Sequence, residues 1–153
     1  MQPRIEYGKA SPGAYKAMYG LEAYVKSSGL EPSLLDLIKT RASQINGCAF
    51  CIDMHTKEAR AKGESEQRLY LLNAWHEAPF YTDRERAALA WTEAVTLVAD
   101  GHVPDEVFEQ ARAQFSEQEL VNLTMAVVAI NGWNRLSISF RAVPGSYQVA
   151  QSK

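Results

Sequence analysis

The sequence predicts an all-α fold, a single-domain helical bundle, on three observations. Apolar residues recur at helical spacing through most of the chain, helix-capping signatures punctuate it, and no β-branched alternation is bounded by hairpin turns. The 153 residues, 46% of them hydrophobic, fall near the commonest size of one domain and supply apolar surface for one core. We expect one domain over residues 1–153, without internal repeats or linkers.

The elements follow in order. A first helix spans about Gly13 to Ser28, with Tyr15, Met18, Leu21, Tyr24 and Val25 near helical spacing and Gly29 as its stop. A second starts at Pro32, a favoured first-turn residue, and carries Leu34, Leu35, Leu37, Ile38, Ala42 and Ile45 to the break at Asn46-Gly47. A third runs from about Cys48 to Lys62 and ends at Gly63. Ser65 caps a short helix through Leu72, and Thr82-Asp83-Arg84-Glu85 is a capping box opening a longer one through about Ala99, ended by Gly101. Pro104-Asp105-Glu106 places proline and two acids in a first turn, as the helix dipole favours. Ser116-Glu117-Gln118-Glu119 is a second capping box, opening a final helix that reaches the Trp133 region. The segment Phe140 to Gly145 reads as irregular or extended.

Charge and patterning narrow the function. A formal net charge of -2, with 16 Lys plus Arg scattered among 18 Asp plus Glu, gives no basic field, so no nucleic-acid partner is expected. The first 25 residues mix Arg4, Glu6, Lys9, Lys16 and Glu22 with apolar positions and carry no secretory pattern. The longest apolar run, Met125 to Ile130, is far short of the roughly 20 residues that cross a bilayer, so no membrane partner is expected. A soluble, cytoplasmic protein is the expectation.

The two cysteines, Cys48 and Cys51, are separated by two residues. A disulfide closing so short a loop removes little entropy from the unfolded chain, so redox or metal chemistry suits the pair better than stapling. On a helix Cys48 meets Cys51 at i+3 and Cys51 meets His55 at i+4, so all three share one stripe. Facing cysteines at that spacing have Cα atoms roughly 5 to 6 Å apart, within reach of a disulfide. The preceding Asn46-Gly47 puts both in the first turn, where free amides and the dipole favour a thiolate. His55, one turn later, is placed to move the thiol's proton near neutral pH.

Three other readings of the pair stand beside this one. A zinc site needs about four ligands, and His76 and His102 stand alone in the sequence. A thioredoxin-like site needs a strand before the pair, where the pattern is helical. Buried structural cysteines with a core histidine are the third.

The segment from Leu34 to His55, with Asn46-Gly47-Cys48-Ala49-Phe50-Cys51-Ile52-Asp53-Met54-His55 at its end, resembles the core of the AhpD-like alkylhydroperoxidases of the carboxymuconolactone decarboxylase family. The stretches Arg86 to Thr96 and Asn131 to Arg141 extend the likeness over nearly the whole chain. The resemblance implies an AhpD-like all-helical fold, homo-oligomers (trimers or hexamers), and an antioxidant alkyl hydroperoxide reductase (peroxidase). It implies no bound cofactor, a hydroperoxide substrate, and an external dithiol donor such as a lipoyl-type protein. It further implies Cys51 as the attacking thiolate, Cys48 as the resolving thiol, and His55 in the relay that activates Cys51.

The family motif has a glutamate twelve residues before the first cysteine, where this chain has Asp36, and the founding peroxidase has a histidine where this chain has Phe50. Asp36 is either a relay member acting through water or a buried partner of Arg41 or Lys39. The dipole favours a thiolate at Cys48, but only Cys51 is a single turn from His55. Rival functions are a redox-sensing or oligomeric binding protein with little turnover, a lactone decarboxylase of the same family, and a zinc-stabilised module.

Elsewhere, His76 and His102 read as surface or capping residues. Trp91, Trp133, Tyr15, Tyr19 and Tyr24 read as core or interface aromatics before pocket lining. Asn131, Asn134 and Arg135 inside the last helix point to buried hydrogen bonding or a subunit contact.

Overall fold

Several helix ends in this protein fall where a side chain or a glycine satisfies the free backbone groups. The computed structural model describes residues 2–149, which form nine α-helices, one 3₁₀ turn and no strand. The helices are α1 (Tyr7–Ala10), α2 (Pro12–Lys26), α3 (Pro32–Asn46), α4 (Ala49–Ala61), α5 (Glu66–Tyr70), α6 (Asp83–Thr96), α7 (Val98–Gly101), α8 (Asp105–Gln114) and α9 (Glu117–Phe140). The 3₁₀ turn is Leu72–Ala74. Both capping boxes form: Thr82 accepts from the Glu85 amide while Glu85 accepts from the Thr82 amide, and Ser116 and Glu119 do the same at α9. Pro12 and Pro32 sit in the first turns of α2 and α3, where a missing N–H costs nothing.

The helix α3 is the centre of the bundle and packs against α4, α6 and α9. Its residues 34–40 are buried without interruption, so the helix is enclosed rather than laid on a surface. Leu34, Leu35 and Ile38 join Val25, Ala88, Trp91, Leu123 and Val127 in the main core. Leu37 instead faces Leu72, Trp75, Tyr81 and Leu89. A third cluster holds Ala42, Cys48, Cys51 and Ile130, with Phe50 and Trp133 against it. The cysteine pair therefore sits in packed apolar surroundings where α3, α4 and α9 meet.

Three boundaries differ from expectation. A short α1 precedes α2, too brief to show a period in sequence. The helix α6 stops at Thr96, and α7 restarts it at Val98 before Gly101. The last helix continues to Phe140, 24 residues or about 36 Å, although Asn131, Gly132 and Asn134 are poor helix formers. Tertiary contacts explain that persistence: both asparagines are hydrogen-bonded, and a Cβ on Gly132 would lie 2.8 Å from Cε of Met18. Gly132 thus makes room on α9 for the end of the Met18 side chain of α2. The irregular segment begins at Arg141, in the left-handed region (φ 56°).

Candidate active site

The turn between α3 and α4 is built before the chemistry is. Gly47 takes φ 67°, a conformation open to glycine, and the Cys48 amide donates to the Ser43 carbonyl (2.9 Å). Nδ2 of Asn46 donates to Oδ1 of Asn134 (2.8 Å) and of Asn131 (3.0 Å), while Nδ2 of Asn134 donates to Oγ of Ser43 (3.0 Å). The turn is thereby fixed to α9. Cys48 is the N-cap of α4, its Sγ accepting from the Cys51 amide at 3.4 Å. The two cysteines are paired as a disulfide with Cα atoms 5.4 Å apart. Both are buried, but only Cys51 lines the cleft beside the site.

His55 is 5% exposed and lies one turn beyond Cys51 on the same cleft wall. Its buried Nδ1 has no aligned hydrogen-bond partner among the described residues, yet Oε2 of Glu58 stands 3.4 Å away. We read this as a close charge contact, because the geometry falls outside that of a hydrogen bond. The other carboxylate oxygen, Oε1, accepts from the Tyr147 hydroxyl at 2.6 Å. His55 first, then burial working against it, then the Tyr147 hydroxyl leave Glu58 down at about 2. The same hydrogen bond to Glu58, with burial adding, pushes Tyr147 up to about 12.

Asp36, His55 and Cys51 all line the cleft. Both oxygens of Asp36 accept from Nζ of Lys62, each at 2.8 Å. The alternative partners considered for Asp36 are engaged elsewhere, which corrects that expectation. Lys39, almost wholly buried, pairs with Glu22 on α2, and Arg41 pairs with Glu93 at 2.8 Å. The reason is direction: Lys62, at the end of α4, presents its ammonium across the α3–α4 contact to the face that carries Asp36. Sequence reasoning missed Glu58, Lys62 and Tyr147. Two of them were findable, since Cys48, Cys51, His55, Glu58 and Lys62 continue one i+3, i+4 stripe along α4.

The cleft measures about 690 Å³. Its far wall is aromatic: Trp133 meets Tyr15 and Tyr19 edge-on at 5.8 and 5.5 Å, and Tyr7 adjoins Tyr15 at 6.0 Å. The hydrogen bond to Tyr19, then burial, push Tyr15 up to about 12. So Tyr15, Tyr19 and Trp133 line the cleft, with Trp133 also packing against the cluster that holds the cysteines. Trp91 lies in the main core with Nε1 donating to Thr124, and Tyr24 donates to Asn122 on a half-exposed face. Arg135 is exposed and donates back to Asn131. His76 stacks on Trp75 at the surface, and the His102 amide closes α7. Among the described residues, no three His, Cys, Asp or Glu side chains converge as a metal site requires. No helix among them is long and apolar enough to cross a membrane.

Comparison with known proteins agrees with this architecture. The sequence profile of the carboxymuconolactone decarboxylase family matches residues 12–94. The uncharacterized protein YdfG of Bacillus subtilis (strain 168) is 45% identical over 139 residues, which make up 91% of this chain and 95% of that one. A protein of unknown function from Agrobacterium tumefaciens, named as a candidate antioxidant defence protein AhpD, superposes with a TM-score of 0.92 at 53% identity. The match covers 95% of this chain and 100% of that one. An uncharacterized peroxidase-related protein from Ralstonia eutropha JMP134, described as an alkylhydroperoxidase AhpD core, shares the fold with a TM-score of 0.80 at 17% identity, over 94% of this chain and 77% of that one. With more than half its length matched by the profile and its fold shared almost end to end, this chain belongs to the carboxymuconolactone decarboxylase family, as an AhpD-like member.

Proposed function

We propose that the protein is a thiol-dependent hydroperoxide reductase in which Cys51 is the peroxide-reactive residue. The observation that carries this reading is the division of labour at the pair: Cys51 lines the cleft one turn from His55, while Cys48 sits behind it within disulfide reach. The names of the Agrobacterium and Ralstonia relatives point the same way.

In the reduced protein, His55 takes the Cys51 thiol proton. The thiolate attacks the terminal oxygen of the hydroperoxide, the O–O bond breaks, and the proton returned by His55 releases the alcohol, leaving Cys51 as a sulfenic acid. The Cys48 sulfur then attacks the Cys51 sulfur, expels water and forms the disulfide. An external dithiol, such as a lipoyl-type donor, reduces the pair and is itself oxidised. Asp36 occupies the outer relay position and exchanges protons through water, with Lys62 as its counterion. The chain works as a homo-oligomer in the cytoplasm, where donor dithiols are kept reduced.

Because Lys62 occupies both oxygens of Asp36, a redox-sensing protein of slow turnover is the second reading. Sustained peroxide consumption with a lipoyl-type donor separates the two. The first test is thiol titration before and after one equivalent of an organic hydroperoxide, with mass spectrometry of the Cys48–Cys51 peptide. Loss of two thiols together as one intramolecular disulfide supports the proposal, and unchanged thiols overturn it.

A further inference from the structure

We propose that Glu58, held by Tyr147 of the C-terminal segment, is the carboxylate that positions and polarises His55 for its work on Cys51. The inference rests on the roles proposed above for Cys51 and His55, and it assigns to Glu58 a task that the family resemblance would leave to residue 36.

Geometry carries it. Glu58 is the next residue on the stripe that already holds Cys51 and His55, and its Oε2 lies 3.4 Å from the buried, otherwise unpartnered Nδ1. Its second oxygen accepts from the Tyr147 hydroxyl at 2.6 Å, so the carboxylate is held through the oxygen that does not face Nδ1 of His55. Tyr147 is itself fixed to α4. Lys57 donates both to the Tyr147 carbonyl (3.1 Å) and to Asp53 (2.9 Å), and the Gly145 amide donates to Asp53 at 3.0 Å. The segment after α9 therefore returns to α4 and places the Tyr147 phenol on Glu58. Asp36, by contrast, gives both oxygens to Lys62.

A carboxylate at Nδ1 makes that nitrogen the protonated one and leaves Nε2 as the base. The Cys51 proton passes to Nε2, the imidazolium that forms keeps its Nδ1 proton toward Glu58, and the Nε2 proton later goes to the departing alkoxide. The other titratable groups facing this cleft are Asp36, Lys39 and Lys62, then Glu22 and Lys26 on α2, and Tyr7, Tyr15 and Tyr19. Four of the acids and cations are paired among themselves, Glu22 with Lys39 and Asp36 with Lys62, which leaves Glu58 as the acid in contact with the imidazole.

The test reads Cys51 directly and needs no peroxide. The full chain is reduced, the reductant removed, and the rate of Cys51 alkylation by iodoacetamide followed by peptide mass spectrometry across the pH range. Glu58→Gln keeps shape and removes charge. It is expected to slow Cys51 alkylation about tenfold at neutral pH and to move the midpoint of the profile upward, because the imidazolium that favours the thiolate loses its counter-charge. Tyr147→Phe should move the profile the same way by less, and Glu58→Asp should restore part of the rate. A Glu58→Gln profile that superimposes on the parent, or a shift produced by Asp36→Asn alone, overturns the inference. Nitrogen-15 spectra of His55 in the unmodified protein give a measurement independent of any variant: a neutral tautomer protonated at Nδ1 supports it, and one protonated at Nε2 overturns it. Should the profile shift as expected in a protein that consumes no hydroperoxide, the Glu58 assignment stands and the peroxidase reading fails.

Discussion

Nδ2 of Asn46 donates to Oδ1 of Asn134 at 2.8 Å across the α3–α9 contact, next to the turn that presents Cys48. Asn134 is completely buried and in turn donates to Ser43, so one amide secures the end of α3. Replacing Asn134 by Ala takes the donor from the buried Ser43 hydroxyl and one of two amide acceptors from Asn46, and leaves a cavity, so the protein should lose about 2–4 kcal/mol of stability by urea unfolding. Asn131→Ala should cost less, because Asn131 is only half-buried.

Removing the two sulfurs one at a time should give different products. Cys51→Ser is expected to abolish hydroperoxide consumption. Cys48→Ser should still react once and stop at a sulfenic acid, detected as a dimedone adduct on Cys51. Full activity in the Cys51 variant would sink the mechanism.

Glu58 also predicts how the fold responds to acid. Its carboxyl is held down at about 2, chiefly by His55, against an ordinary value of 4.5. A depressed acid contributes stability that is fully present above the ordinary value and is lost as pH falls through the lowered one. Thermal denaturation should therefore show Tm falling between about pH 4.5 and 2, with a shallower fall in Glu58→Gln. Equal slopes in the two proteins would remove Glu58 from the acid response.

The aromatic wall should select for bulk. Tyr19 is 53% exposed and packs on Tyr15 and Trp133, so Tyr19→Ala should change stability by only about 0.5 kcal/mol. Its loss should raise KM for cumene hydroperoxide by about fivefold to tenfold while leaving hydrogen peroxide kinetics unchanged, as steady-state assays with the two substrates would reveal.

Asp36→Asn tests the outer relay position. The substitution keeps shape but frees Lys62 from its bidentate contact with the Asp36 carboxylate, leaving its ammonium uncompensated there at the cleft. If Asp36 exchanges protons with the site, peroxide turnover should fall about tenfold or more, with Cys51 alkylation little changed. Unchanged turnover would confine Asp36 to holding Lys62.

What could be read from sequence was what local rules govern. The capping boxes at Thr82 and Ser116, the proline starts and the Cys48–Cys51–His55 stripe depend on neighbours within one turn, and each appears where the spacing put it. What could not be read depends on residues far apart in the chain. Tyr147 reaches Glu58 because the chain after α9 folds back over α4, and no periodicity announces such a return. Asn131 and Gly132 look like helix breakers until Asn46, Thr96 and Met18 are placed against them. The choice of Lys62 over Lys39 or Arg41 for Asp36 likewise follows from the α3–α4 packing.

Cys48 caps α4 with the same sulfur that forms the disulfide. The sequence at this position consequently answers to two demands at once. Serine or aspartate would serve the helix as well or better, but neither can carry electrons. Under the proposed mechanism, any redesign that strengthens the start of this helix by ordinary capping disarms it, and each turnover works on an atom that also holds the helix end in place.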